Sequence, residues 1–363
     1  MVDAAGCGER PGSSLTLTVR FMLSPRLLPE TTPARPAARQ GPIFIGGPDR
    51  CGKTTMRSFL VSHPDISISA VGSNMWTYFY DRYGDLRNPS NLERCLQAML
   101  HYKHVKFLKP DADRIRREFL SGEPSYARLF ALFQLHYAER AGKPRWGDQT
   151  GLVERYADQI FAAYPGAKII HMIRDPRDRY EASISLWPNG KGRVGGATAR
   201  WLYSVRLAKR HLHRYPRSYK LVRFEALVNQ TERTLKEVCN FLGEKFTPGI
   251  LTMQGAGAFR EALNGNTKSE PGQPLLSADF IGLFRRTMSN RELLFMQVFA
   301  GREMLELGYQ LERIKLSPGD RLAFSLLDFP ANLVRKAAWR GLEAVQQRFP
   351  RLVRRRISAE KVI

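Results

Sequence analysis

Ile43-Phe44-Ile45-Gly46-Gly47-Pro48-Asp49-Arg50-Cys51-Gly52-Lys53-Thr54-Thr55 is a short apolar run that empties into a glycine-rich loop and then into residues suited to open a helix. Gly47, Gly52, Lys53 and Thr54 satisfy the phosphate-loop spacing G-x-x-x-x-G-K-[ST]. Glycines let successive backbone N–H groups curl around an anion, and the following helix adds a partial positive charge of roughly half an electron at its start. Lys53 and Arg50 add whole charges at the same place. Gly-Gly-Pro-Asp alone would serve as a turn, but a turn has no use for Lys, Thr and Thr in the first helical turn. The stretch therefore predicts a strand, an anion loop and a helix, binding a phosphate-like or sulfate-like group on a nucleotide.

Downstream, Thr54 to Val61 reads as that helix, stopped near His63-Pro64 because the residue before proline avoids the α region. Ser73 to Tyr83 is rich in aromatics, which reads first as core and second as a substrate wall. Residues 88 to 143 read as mostly helical, broken at Gly122-Glu123-Pro124. A short strand and turn at 143–150 and a helix from Val153 to Tyr164 follow. Ala167 to Ile173 is a near-continuous apolar run, as expected of a strand buried on both faces of a parallel sheet. Arg174-Asp175-Pro176-Arg177-Asp178-Arg179 comes at its carboxyl end, where open α/β sheets place ligands. A helix is expected from about Tyr180, with Ser183 in its first turn, then a strand at Lys220–Phe224 and a helix at Thr231–Leu242. Gly255 to Gln273 reads as a surface loop and Ser289 to Leu307 as a helix. The alternation gives an α/β fold of the P-loop three-layer type, with a central parallel sheet, a helical insertion and a C-terminal basic helix.

The 363 residues divide into a mobile leader (1–41), an α/β domain (42–312) and a basic amphipathic tail (313–363). A net charge of +23 fits acidic partners: a nucleotide, an anionic membrane or nucleic acid. Residues 331–363 carry nine lysines and arginines against Glu343 and Glu360, interleaved with apolar residues. Such a helix lies on an anionic membrane or packs on its own domain with a charged outer face. Nucleic-acid contact at Arg354-Arg355-Arg356 has no reader motif to support it. Four separated cysteines without a C-x-x-C pair read as free thiols in a reducing, cytoplasmic compartment, with a peripheral membrane position through the tail left open. Seven histidines show no metal-ligand spacing, so no metal site is expected. No apolar run reaches the ~18 residues that span a bilayer.

Taken alone, the loop looks like that of a thymidylate-type kinase. Such enzymes need a carboxylate for Mg²⁺ at the end of a second buried strand, where this chain has Arg174. Three separated pieces instead resemble the sulfotransferases that use 3′-phosphoadenosine 5′-phosphosulfate. These are Arg50-Cys51-Gly52-Lys53-Thr54-Thr55, Ile170 to Asp178 with Ser183, and Arg223-Phe224-Glu225-Ala226-Leu227 followed by Thr234-Leu235 and Phe241-Leu242-Gly243. His63-Pro64-Asp65-Ile66 and Trp146-Gly147-Asp148-Gln149-Thr150 agree, so the resemblance covers roughly residues 42 to 312.

The resemblance implies metal-independent sulfuryl transfer to a hydroxyl or amine of a small-molecule, carbohydrate or lipid acceptor, with adenosine 3′,5′-bisphosphate as product. It gives Arg50 the departing bridging oxygen, gives Cys51, Gly52, Lys53, Thr54 and Thr55 the 5′-phosphate, and gives Arg174 and Ser183 the 3′-phosphate. Lys53 and Cys51 replace that family's usual Thr and Ser, and Lys53 leaves ATP use open. The Arg174-to-Ser183 spacing is nine where eight is usual, with Ala182 at the expected place, and one residue turns a helical side chain by about 100°. Phe224 stands where Tyr is common. Gly72 stands where a glutamate is often found, so Asp148 is the first candidate for the general base, followed by His171 and Asp81. Two rivals stay open: a P-loop nucleotide or small-molecule kinase, and a silent relative that binds nucleotide and docks on a membrane.

Overall fold

The structure, a computed structural model, describes residues 40–184, 193–259, 276 and 278–351. All but the last two positions of the expected leader lie outside these residues, as do the Gly255–Gln273 loop from residue 260 onward and Arg354 to Arg356. All described residues belong to one compact unit.

Five parallel strands form the sheet: β1 (Ile43–Gly46), β2 (Ile66–Ile68), β3 (Arg145–Gln149), β4 (Lys168–Ile173) and β5 (Tyr219–Arg223), in the order β2-β3-β1-β4-β5. β1 is central, with Phe44 opposite Asp148 of β3 and Ile169 of β4. β2 has no counterpart among the strands expected from the sequence. Three residues are too short for an alternating pattern to register, and Ile66 and Ile68 are nonetheless buried beside β3.

Strand periodicity divides the core. Phe44 and Ile169 point into one hydrophobic layer with Trp76, Phe130 and Phe133, while Ile43, Ile45, Ile170 and Met172 point into the other with Met56, Phe59 and Leu235. Helices Pro89–His101, Ala112–Leu120 and Tyr126–Arg140 form the insertion between β2 and β3. Each begins at a side-chain cap, Asn88, Asp111 or Ser125, that accepts from first-turn amides. The aromatic stretch joins this layer: Trp76 stacks on Tyr80 at 5.0 Å and meets Phe130 edge-on at 5.5 Å.

A third cluster, built on Ile173, Trp201, Phe295 and Met296, joins helix Arg193–Arg214 to helix Asn290–Glu306. Helix Phe329–Arg348, inside the basic tail, lies along Arg193–Arg214. Trp339 packs edge-on against Tyr203 at 5.6 Å, and buried Glu343 accepts from Arg155 at 2.5 Å. Among the described residues no helix is long and apolar enough to cross a membrane.

Candidate functional site

β1 ends at Gly46, and the chain turns through the loop into helix Lys53–Leu60. Two glycines make that turn possible. Gly47 has φ +108°, and a Cβ there would overlap the Met172 carbonyl oxygen; Gly52 has φ +89°, and its Cβ would overlap the Phe224 ring. Arg50 also adopts positive φ, +60°, and is exposed. Gly52 caps the helix with no side-chain bond to the first-turn amides, and no acidic residue lies in that turn. Those amides are suited to an anion.

The loop is braced from below and within. Gly47 N–H donates to Glu154 Oε2 at 2.9 Å, and Ser204 Oγ donates to Glu154 Oε1 at 2.5 Å. Burial opposes ionisation of Glu154, yet His171, the Ser204 hydroxyl and the Gly47 amide hold its carboxyl below the usual range. Cys51 Sγ donates to the Pro48 carbonyl at 2.8 Å, and burial pushes this thiol up, so it is a neutral packing group. Lys53 Nζ donates to the carbonyls of Pro48 and, at 3.1 Å, Gly47. Thr54 is exposed and Thr55 buried.

Asp49 is the unforeseen part of the loop. Its carboxylate accepts from Arg179 at 2.6 Å, Arg200 at 2.7 Å and Ser183 Oγ at 3.0 Å. Burial by itself would raise the carboxyl's pKa, but the two guanidiniums and their hydrogen bonds hold it well below the usual range. Ser183, expected as a ligand of the 3′-phosphate, therefore spends its hydroxyl on Asp49 and on the Arg179 carbonyl at 2.9 Å.

Arg174 follows β4 directly and comes to the loop. Its Nη1 lies 3.4 Å from the Arg50 carbonyl, its Nη2 donates to the Phe280 carbonyl at 2.5 Å, and the guanidinium sits 4.8 Å above the Phe224 ring. Its Nε is buried without a partner among the described residues. The helix after it runs from Pro176 to Ile184 rather than from Tyr180, because Asp175 accepts from Arg177 N–H at 2.9 Å and Pro176 starts the first turn. Ser183 thus lies in the last turn of that helix, not the first. Asp178 Oδ2 and Oδ1 accept from the Gly282 and Phe284 amides at 2.7 and 3.0 Å, tying the segment down.

Asp148 sits at the tip of β3, 2% exposed. Ser73 donates to it through N at 3.0 Å and Oγ at 2.5 Å, and Thr150 Oγ1 through a 3.0 Å bond. Burial raises its pKa against these donors. His171 is fully buried beneath the loop, with Nδ1 2.5 Å from the Tyr219 hydroxyl. Asp81 lies at the surface and accepts from Arg351 at 2.9 Å. The three base candidates are therefore held in three separate places. Gly72, where a glutamate was considered, packs its Cα against the Gln149 carbonyl with no room for a Cβ.

Among the described residues one group has metal-ligand character: His63, Asp65 and Glu244. Both His63 ring nitrogens are engaged by backbone, Nε2 near the Lys245 carbonyl at 3.0 Å and Nδ1 accepting from Asp65 N–H at 3.1 Å.

The family model described as Sulfotransferase family matches residues 42–248, more than half of the 363-residue chain. No curated relative matches. Solved structures similar to the chain include the sulfotransferase domain of a Synechococcus olefin synthase, at 18% identity and TM-score 0.43, covering 69% of this chain and 97% of that one. A mouse sulfotransferase complexed with PAP gives 13% and 0.42, covering 74% and 84%. A sulfotransferase from Alicyclobacillus acidocaldarius gives 20% and 0.39, covering 77% and 98%. The family match spans β1 to β5, the phosphate loop and Arg174 together, and on that match the chain belongs to the sulfotransferase family.

Proposed function

We propose that this protein transfers a sulfuryl group from 3′-phosphoadenosine 5′-phosphosulfate to a hydroxyl or amine, releasing adenosine 3′,5′-bisphosphate. The observation that carries the reading is the arrival of Arg174, from the tip of β4, at the Arg50 carbonyl with its buried Nε still unpartnered. One cation cluster thus serves the loop and a second anion beside it. When bound, the donor supplies the sulfuryl group, and the chain's own residues position and neutralise. Arg50 stabilises charge on the departing oxygen. Gly52, Lys53, Thr54, Thr55 and the Cys51 backbone hold the 5′-phosphate, and Arg174 holds the 3′-phosphate over Phe224. Ser183 acts at one remove, by fixing Asp49.

Asp148 is the proposed general base. Its burial raises its proton affinity, as a base requires, and Ser73 Oγ is the group through which a proton would reach it. The acceptor is a small molecule, carbohydrate or lipid, and the aromatic segment around Trp76 and Tyr80 is its proposed wall. A cytoplasmic setting and independence of divalent metal complete the proposal.

β1 is flanked by two strands, and β3 carries a carboxylate at its tip, so the kinase reading has Asp148 to offer as a magnesium ligand. Its oxygens are engaged by Ser73 and Thr150, which favours the sulfotransfer reading. A transfer assay with donor and a phenol, sugar or lipid acceptor panel, run with and without EDTA, separates the two. Sulfated product unaffected by EDTA, with kcat reduced about 100-fold or more in Asp148→Asn at unchanged donor KM, is the expected result. ATP turnover that requires Mg²⁺, with no sulfated product, would refute it.

A further inference from the structure

Helix Pro318–Ala323, a π turn at Phe324–Asp328 and helix Phe329–Arg348 form one continuous rod, about 45 Å long at the α-helical rise. Its inner face is mixed. Phe324 and Phe329 pack together and Phe329 stacks on Phe299, but Asn332, Trp339 and Glu343 make the remaining anchors through polar or edge contacts. Its outer face is apolar. Leu322, Leu326, Leu327, Val334 and Leu342 are each 63–67% exposed, and Val345 and Phe349 are 46% exposed. A helix on a water-facing surface normally shows the opposite arrangement. Single exposed leucines need no explanation, but a row of them along one face does.

The charges around the row select its occupant. The acidic groups of the rod are neutralised internally: Asp320 and Asp328 lie within 3.8 and 3.1 Å of Arg291, and Glu343 is bound by Arg155. Arg340 and Arg348 are exposed and have no ion-pair partner among the described residues. A second copy of this chain would set the same cations against each other, on a protein already at +23. A bilayer with anionic headgroups satisfies both features, taking the apolar row into the acyl boundary and the arginines at the headgroup level.

We infer that the outer face of residues 318–349 docks on an anionic bilayer. The docked rod lies one side chain from the phosphate loop: Arg200 stands 5.9 Å over Trp339 and donates to Asp49 at 2.7 Å. Just past the rod, Arg351 reaches Asp81 on the aromatic segment. Docking therefore holds the site proposed for sulfuryl transfer at a membrane surface, but stands or falls independently of that chemistry.

The test is co-sedimentation of the full chain with vesicles of phosphatidylcholine alone or with one third phosphatidylglycerol, at near-physiological salt. The variant Leu326→Gln, Leu327→Gln, Val334→Gln, Leu342→Gln keeps every charge and changes only exposed side chains. Its melting temperature and adenosine 3′,5′-bisphosphate affinity should match the wild type. The proposal expects wild-type binding to the anionic vesicles, a fall of at least about tenfold in the partition constant for the four-glutamine variant, and a comparable fall for Arg340→Gln with Arg348→Gln. Equal binding by the four-glutamine variant would reduce the attraction to the general positive charge and overturn the proposal. So would absence of wild-type binding, or a lipid-free dimer that the same four substitutions dissolve.

Discussion

Asp49 places a carboxylate in the middle of the loop proposed to bind an anion, where it would oppose that role were it not consumed by Arg179 and Arg200. The pairing pins the loop to helix Pro176–Ile184 and helix Arg193–Arg214, and in the proposed mechanism it leaves Arg50 and Arg174 for the anions. Its folded pKa lies below the ordinary value of 3.8, so the carboxyl's contribution to stability is complete above that pH and is lost as pH falls further. Asp49→Asn should lower stability by about 2–3 kcal/mol near neutrality, because it leaves two guanidiniums without their counter-charge. The gap between wild type and variant should close on acidification below about pH 4 in urea denaturation followed by circular dichroism. A gap that stays constant with pH would show that the carboxylate does no electrostatic work. None of this was legible in the sequence, because the partners stand 130 and 151 positions away. Arg174, by contrast, follows an apolar run in the sequence, and its guanidinium lies 3.4 Å from the Arg50 carbonyl. Ser183 reaches the loop as well, but from the last turn of its helix rather than the first, with its hydroxyl on Asp49 and the Arg179 carbonyl.

At the scale of elements, the long buried runs announced themselves. β1 and β4 and helix Thr231–Leu242 follow the apolar patterning, with Gly243 closing that helix in the left-handed region at φ +77°. β2 escaped because three residues carry no period. The start of helix Pro176–Ile184 is encoded in Asp175-Pro176, an N-cap followed by proline at the first position, four residues before the expected start at Tyr180. The turn into helix Lys53–Leu60 carries the sharpest local prediction. Phe224 packs against Gly52 and lies beneath the Arg174 guanidinium, so one ring touches both the glycine turn and the cation. Gly52→Ala meets both the positive φ and the ring, and should cost about 1–3 kcal/mol of stability. By displacing Phe224 it should also weaken adenosine 3′,5′-bisphosphate binding at least about tenfold in calorimetry. Wild-type affinity in that variant would mean that Phe224 does not support the ligand.

For the whole molecule, the parallel order β2-β3-β1-β4-β5 sets β1 between two strand tips of opposite character, Asp148 on β3 and Arg174 after β4. Both residues are candidates from the sequence, but that their strands flank β1 is not legible there, because strand neighbours cannot be read from chain order when crossovers intervene. The family match over residues 42–248 fits this arrangement, while the rod at 318–348 lies beyond it and adds what composition had left open between membrane and domain packing. Its inner face packs on the domain, and its outer face is the apolar one. In the proposed mechanism, cations beyond β1 and β4 hold an adenosine carrying an anion at each end, without a divalent metal. Isothermal titration of adenosine 3′,5′-bisphosphate, and of ATP with and without Mg²⁺, into wild type and Arg174→Ala tests it most directly. Preference for the bisphosphate without metal is expected, with a loss of about 10- to 100-fold in Arg174→Ala, the worth of one charge-assisted contact. Preference for ATP with Mg²⁺, or bisphosphate affinity untouched by Arg174→Ala, would contradict it.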